Sequence, residues 1–157
     1  MKHIINSLDT FCKNSVLSIP IICFMIGIID FKYILITIGI ILCGIINFII
    51  KSIINKILPY KYTKRPNNAK GCGACNDNYI DNIGLPSGHS QLAWFFVFYL
   101  WLLKPNIRNA LILFPIALII SISRYFSNCH TKLQIFIGSL IGIIIAYYFR
   151  EFIILFF

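Results

Sequence analysis

Charge is scarce in this chain. Asp and Glu together number five among its 157 residues, and charged residues of both signs make up 12%, where a soluble globular domain carries about 25%. Hydrophobic residues reach 59%. That balance excludes an ordinary water-soluble domain. Internal repeats and low-complexity segments are also absent. The six cysteines are too scattered for a disulfide framework, and Cys23 and Cys43 fall inside apolar runs, where a thiol packs as a small hydrophobe. No small-residue cleavage site follows the first apolar run, so it reads as a retained segment rather than a signal peptide.

What the chain has in place of charge is apolar length. Five runs stand out: Val16–Ile29, Tyr33–Ile50, Leu92–Leu103, Ala110–Ile122 and Ile135–Tyr148. A full crossing wants about 20 apolar residues, with a range of about 17–25. Tyr33–Ile50 meets that alone; the others reach it with flanking residues, or cross a thin bilayer such as that of the endoplasmic reticulum. The expectation is an all-α, multi-pass integral membrane bundle of about five transmembrane helices, built as a single domain over residues 1–157. The segment Lys51–Leu58, apolar at helical spacing with lysines between, suits an extension of the second span out of the membrane or an interfacial turn, before Pro59 and Pro66 end regular structure. Isoleucine dominates the apolar set, as coding bias in an AT-rich genome would produce.

The formal charge of +9 suggests nucleic acid only in a soluble protein. Here lysines flanking spans beside anionic headgroups account for it, so the bilayer is the expected partner and nucleic acid is not. A second role concerns Lys51–Lys70 and Arg124 alone: a cationic cup for phosphate.

Two polar islands hold the chemistry. One is the long loop ending in Gly84-Leu85-Pro86-Ser87-Gly88-His89-Ser90, with Arg65-Pro66 upstream. The other is Ser123–Lys132, with Arg124 and His130. Two spans separate them, so both fall on one membrane side. Ser87 is a natural N-cap for the third span, and a helix start offers free amides and the positive end of a dipole, which suits phosphate. Cys72 and Cys75 form C-x2-C in the long loop. Zinc would need two further ligands, for which His89 and Cys129 are the candidates; a local loop-closing or redox pair is another reading, and no special role a third.

Arg65-Pro66, then Pro86-Ser87-Gly88-His89, then Ser123-Arg124-x5-His130 form an ordered set that resembles the type 2 phosphatidic acid phosphatase superfamily, over roughly residues 51–145. The resemblance implies a phosphatase acting on a lipid phosphate or isoprenoid pyrophosphate through a phosphohistidine, with no metal and no cofactor. In it His130 is the nucleophile and His89 the general acid. Arg65 and Arg124 bind the phosphate, and Ser87 and the Gly88 amide complete the cradle. Bidentate guanidinium forks and backbone amides suit charge spread over three phosphoryl oxygens.

Two positions depart from the family pattern. Gln134 stands where the pattern has an Asp that orients the nucleophilic imidazole; its amide oxygen can accept the Nδ1–H but brings no negative charge. Asp77 and Asp81 are the acids near enough to assist. Leu58 stands at the motif lysine's position; a lysine of the cluster Lys56, Lys61 and Lys64 can reach the phosphate in its place, and Lys56, at the membrane end of the extended helix, is the favoured substitute. Gln134 also motivates an alternative, a catalytically weakened relative that binds lipid phosphate; a small membrane scaffold with no substrate is a third reading. Sidedness divides. Ten Lys and Arg on the site side against four opposite favour a cytoplasmic site, whereas members of the family usually face outward or into the lumen.

Overall fold

The computed structural model describes residues 20–23, 25, 31–67, 69, 72 and 82–156. Its helices are α1 (Phe31–Ile57), α2 (Tyr60–Thr63), α3 (Gly88–Leu103), α4 (Ile107–Phe126) and α5 (Lys132–Phe156). Among the described residues no strand forms, and extended pairing is confined to an antiparallel bridge between Lys64 and Ile83. The expected all-α membrane protein is what the residues build.

Prolines and polar turns set the helix ends. α1 runs unbroken through Lys51, as the spacing of its apolar residues predicts, and stops at Ile57, just before Pro59 removes an amide donor. Asn106 caps α4, its side chain accepting from the Asn109 amide at 2.8 Å. At the other end of α4, Asn128 takes a left-handed conformation with φ 54°, which an Asn tolerates better than most side chains. The turn lets the amides of Cys129 and His130 both bond the Arg124 carbonyl, at 3.1 and 3.2 Å.

α3 is the hub, with α1, α4 and α5 packed around it. Its contact with α5 is the closest because α5 presents Gly138-x3-Gly142, where a Cβ would collide with the backbone of Ser87 and of Gln91. Small residues four apart allow this approach of two backbones in a membrane. Ile36, Ile40, Cys43, Phe95, Tyr99 and Ala146 form the apolar core. One polar link crosses it: Asn47 Nδ2 donates to Gln91 Oε1 at 2.7 Å, and Gln91 Nε2 donates to the Cys43 carbonyl at 3.0 Å. Buried amides need such mutual satisfaction where water is excluded.

α4 and α5 both lean on α3 but scarcely touch each other. The gap between them is an apolar cleft of about 550 Å³ over Trp94, walled by Leu118, Tyr125, Phe136 and Leu140, with Lys132 at one end.

Large apolar side chains cover the outside, among them Ile41, Phe48, Leu111, Leu118, Phe136 and Phe152. Among the described residues three helical stretches are long and apolar enough to cross a bilayer: Tyr33–Ile57, Ile107–Phe126 and Lys132–Phe156. α3, with 16 residues, spans about 24 Å at 1.5 Å per residue, less than the ~30 Å hydrocarbon core. The expected first span, Val16–Ile29, lies outside the described residues except at 20–23 and 25. Among the described residues three helices are therefore long and apolar enough to cross, where the apolar runs suggested about five spans.

Candidate active site

The chain entering and leaving the long loop pairs at a neck. Arg65 N donates to Asn82 O at 3.0 Å, while Gly84 N and Leu85 N both donate to Thr63 O, at 2.7 and 3.2 Å. This short ladder fixes Arg65 and the Gly84 carbonyl side by side at the site end of the bundle. A cis peptide bond joins Leu85 to Pro86, and Ser87 N then bonds the Gln134 carbonyl at 3.0 Å. Through that bond the motif turn is stitched to the first turn of α5.

His130 is buried between these pieces, 1% exposed. Its Nδ1 lies 2.9 Å from the Gly84 carbonyl and 3.3 Å from Gln134 Oε1. Both partners are acceptors, so Nδ1 carries the proton and donates. Nε2 is then the lone-pair nitrogen, and Arg65 Nη1 donates to it at 2.9 Å. Burial first, then the positive charges of Arg65, Lys51 and Arg124 and the neighbouring His89, hold His130 well below the usual histidine value of 6.5. The imidazole is neutral at pH 7, in the tautomer that bares Nε2.

Gln134 occupies the orienting position, but the closer acceptor is a backbone carbonyl that no side-chain motif announces. Gln134 is itself held: its Nε2 donates to Lys64 O at 2.8 Å, and its Oε1 accepts from Thr131 N at 3.1 Å. A Cβ on Gly84 would strike the Gln134 amide, so glycine at 84 is what lets both groups reach the imidazole. Asp77 and Asp81 lie outside the described residues.

Arg124 is fully buried at the end of α4, with Nη2 donating to the Cys72 carbonyl at 3.3 Å. Arg65 Nη1 also donates to the Cys129 carbonyl at 3.1 Å. Arg65, Arg124, His89 and His130 thus gather at one end of the bundle. Lys56 stands apart from them, exposed near the end of α1. Lys51 is the α1 lysine that is buried, at 8% exposure, and whose charge bears on His130. Its signal was available: Asn47 and Lys51, four residues apart, share one helix face.

Ser87 sits at the N-cap position of α3, but its side chain makes no capping bond. Its hydroxyl is buried and pairs with Ser90 Oγ at 3.1 Å instead. That corrects the expectation of a side-chain cap; the reason is that the Gln134 carbonyl anchors Ser87 on the inner side of the turn. Gly88 and His89 form the first turn of α3, both half-buried, and Gly88 packs close to Asn47.

Cys72 is disulfide-bonded to Cys129, across 57 positions of sequence. The pairing overturns a zinc ligand set that includes Cys72 and Cys129, and a local Cys72–Cys75 bridge. Cys75 lies outside the described residues. Among the described residues no cluster of three or more His, Cys, Asp or Glu is disposed to hold a metal ion.

A family model described as PAP2 superfamily matches residues 32–154. No curated protein and no solved structure matches the chain.

Proposed function

The chain belongs to the PAP2 superfamily, whose members generally hydrolyse phosphate esters, and on that premise we propose that it is a membrane phosphatase acting on a lipid phosphate or isoprenoid pyrophosphate through a phosphohistidine. One observation carries the reading. His130 is held as the neutral Nδ1–H tautomer, and its Nε2 faces the Arg65 guanidinium at 2.9 Å.

The proposed reaction begins when a substrate phosphate draws the Arg65 fork onto its oxygens and so uncovers the Nε2 lone pair. Nε2 attacks phosphorus, and the phosphorus–oxygen bond to the leaving group breaks in line. His89 gives its proton to the departing oxygen, leaving a phosphorylated, positively charged imidazole. Arg65 and Arg124 stabilise the equatorial oxygens throughout. Water, deprotonated by His89, then attacks phosphorus and releases inorganic phosphate from Nε2. The Gly84 carbonyl and Gln134 Oε1 accept the Nδ1–H in every step, which keeps the ring from rotating. Lys51 adds positive charge from α1. The α4–α5 cleft supports a substrate with a hydrocarbon chain, because it is apolar and its lining includes Tyr125, next in sequence to Arg124, and Lys132, two residues after His130. A five-span bundle and a thin host membrane belong to the same reading.

Phosphate release by detergent-solubilised protein tests it, with phosphatidic acid and an isoprenoid pyrophosphate each supplied in EDTA, beside His130→Ala. Release that persists in chelator and vanishes in the variant is the expected result, with an acid-labile phosphoryl group trapped on the wild-type chain only. The second reading, a binder that does not turn lipid phosphate over, draws on the neutral Gln134. It predicts retention of the lipid with no release from either protein.

A further inference from the structure

The two arginines and the nucleophile share a support that the reaction does not itself use. Arg65 Nη1 donates to the carbonyl of Cys129, and Arg124 Nη2 donates to the carbonyl of Cys72. Those two residues are the two halves of one disulfide, and Cys129 immediately precedes His130. Each guanidinium is therefore tied to one end of the same covalent bridge. Cys72 is 5% exposed and Cys129 1%, so the bridge lies under the site rather than on its rim. A further tie, Asn128 Nδ2 to the Asn67 carbonyl at 2.9 Å, joins the same two loops beside it.

We propose that the Cys72–Cys129 disulfide is a positioning device for the phosphate site: it holds the Arg65 and Arg124 guanidinium forks and the His130 backbone in one register, so that reduction loosens the site. Cys72 and Cys129 are positioning residues. They touch no substrate and act through the arginines. The proposal rests on the reading of Arg65, Arg124 and His130 as the phosphate site.

The physical argument is preorganisation. The Cys72 segment belongs to a long loop of glycine, asparagine and lysine with little apolar surface of its own. Without the bridge, the Cys72 carbonyl loses its covalent tie to the Cys129 side and is held less firmly against Arg124. A displacement of about 1 Å at a positioning group costs roughly 10²-fold in turnover. Arg65 would likewise be less firmly held against Nε2. The groups whose charge faces His130 are Arg65 before the loop, Lys51 on α1, Arg124 on α4 and His89 on α3. Loss of the arginines from that set raises the basicity of the ring, a change that a purely structural bridge remote from the site would not produce.

The test uses the full-length chain in detergent, with Cys75→Ser as the background because Cys72 and Cys75 share a tryptic fragment. Peptide mapping without reductant is expected to find the Cys72 fragment linked to that of Cys129. Dithiothreitol, and separately Cys72→Ser, are expected to weaken binding of inorganic phosphate at least tenfold by calorimetry. They are also expected to move the His130 imidazole titration, followed by NMR, toward the ordinary histidine range while elution and helix content stay constant. Absence of the linked fragment overturns the proposal. So does an unchanged His130 titration in verified reduced protein, whether or not phosphate binds. Reduction-sensitive titration in a protein that hydrolyses no ester keeps the clamp and rejects the phosphatase. Hydrolysis indifferent to dithiothreitol rejects the clamp and keeps the phosphatase.

Discussion

His130 Nδ1 and the Gly84 carbonyl stand 2.9 Å apart. In the proposed reaction this one bond serves the tautomer-fixing part of the role that the resemblance gives to a carboxylate. It supplies no full negative charge, and the cations around the ring push in the same direction as its burial. The site is thus built to keep His130 neutral rather than to stabilise its protonated form.

Gln134→Ala is expected to lower kcat only about tenfold, because the closer acceptor remains. That is far less than the ~10⁴ lost when the orienting Asp of a serine-protease triad becomes Asn. Gly84→Ala is expected to cost more, roughly 10², since its new Cβ strikes the Gln134 amide and displaces the carbonyl. Steady-state kinetics of the two variants, measured side by side, decide which acceptor matters.

The acid limb of kcat/KM is expected well below the usual histidine range, because His130 protonates late as pH falls. Arg65→Gln removes a nearby positive charge and should move that limb upward. Stability follows with a definite sign. The folded-state value lies below the unfolded value of about 6.5, so the unfolded chain takes up its proton first as pH falls. The contribution is full above about pH 6.5 and is lost below it, until the folded form also protonates. Thermal unfolding in detergent across pH 4–8 on an order-of-magnitude grid of about one unit checks the direction.

Gly142→Val is expected to destabilise the protein by about 1–3 kcal/mol, the usual range for overpacking. The added carbons meet the Gln91 backbone and pry α5 from α3. A lowered thermal midpoint with activity falling in parallel is the predicted outcome. An unchanged midpoint would show that α3 and α5 do not approach this closely.

Leu140→Trp fills part of the α4–α5 cleft. If the cleft takes a substrate chain, the ratio of KM for long-chain to KM for short-chain phosphatidic acid should rise about tenfold. That equals the loss of roughly two buried methylenes at ~0.8 kcal/mol each. A constant ratio would remove the cleft from substrate binding.

The bridge also bears on sidedness. Disulfides persist in oxidising compartments, so Cys129 is expected to become reactive to a membrane-impermeant maleimide only after an impermeant reductant is applied from the non-cytosolic side. Labelling that requires access to the cytosol would instead uphold the lysine and arginine distribution, which favours a cytoplasmic site.

Apolar length and proline positions by themselves determined the helical character and the stop of α1 just before Pro59. These are local properties: a long apolar run favours a helix wherever backbone groups must be satisfied internally, and a proline removes an amide donor wherever it falls. The motif spacing likewise marked His89, His130, Arg65 and Arg124, because side-chain chemistry is written in residue identity. Only the tertiary structure decided the rest. The Gly84 carbonyl is a backbone atom with no sequence signature. Lys51 rather than Lys56 is the buried lysine because helix rotation turns Asn47 and Lys51 toward α3. Cys72 joins Cys129 rather than its near neighbour because folding brings the two islands together, and proximity in space is what a disulfide requires.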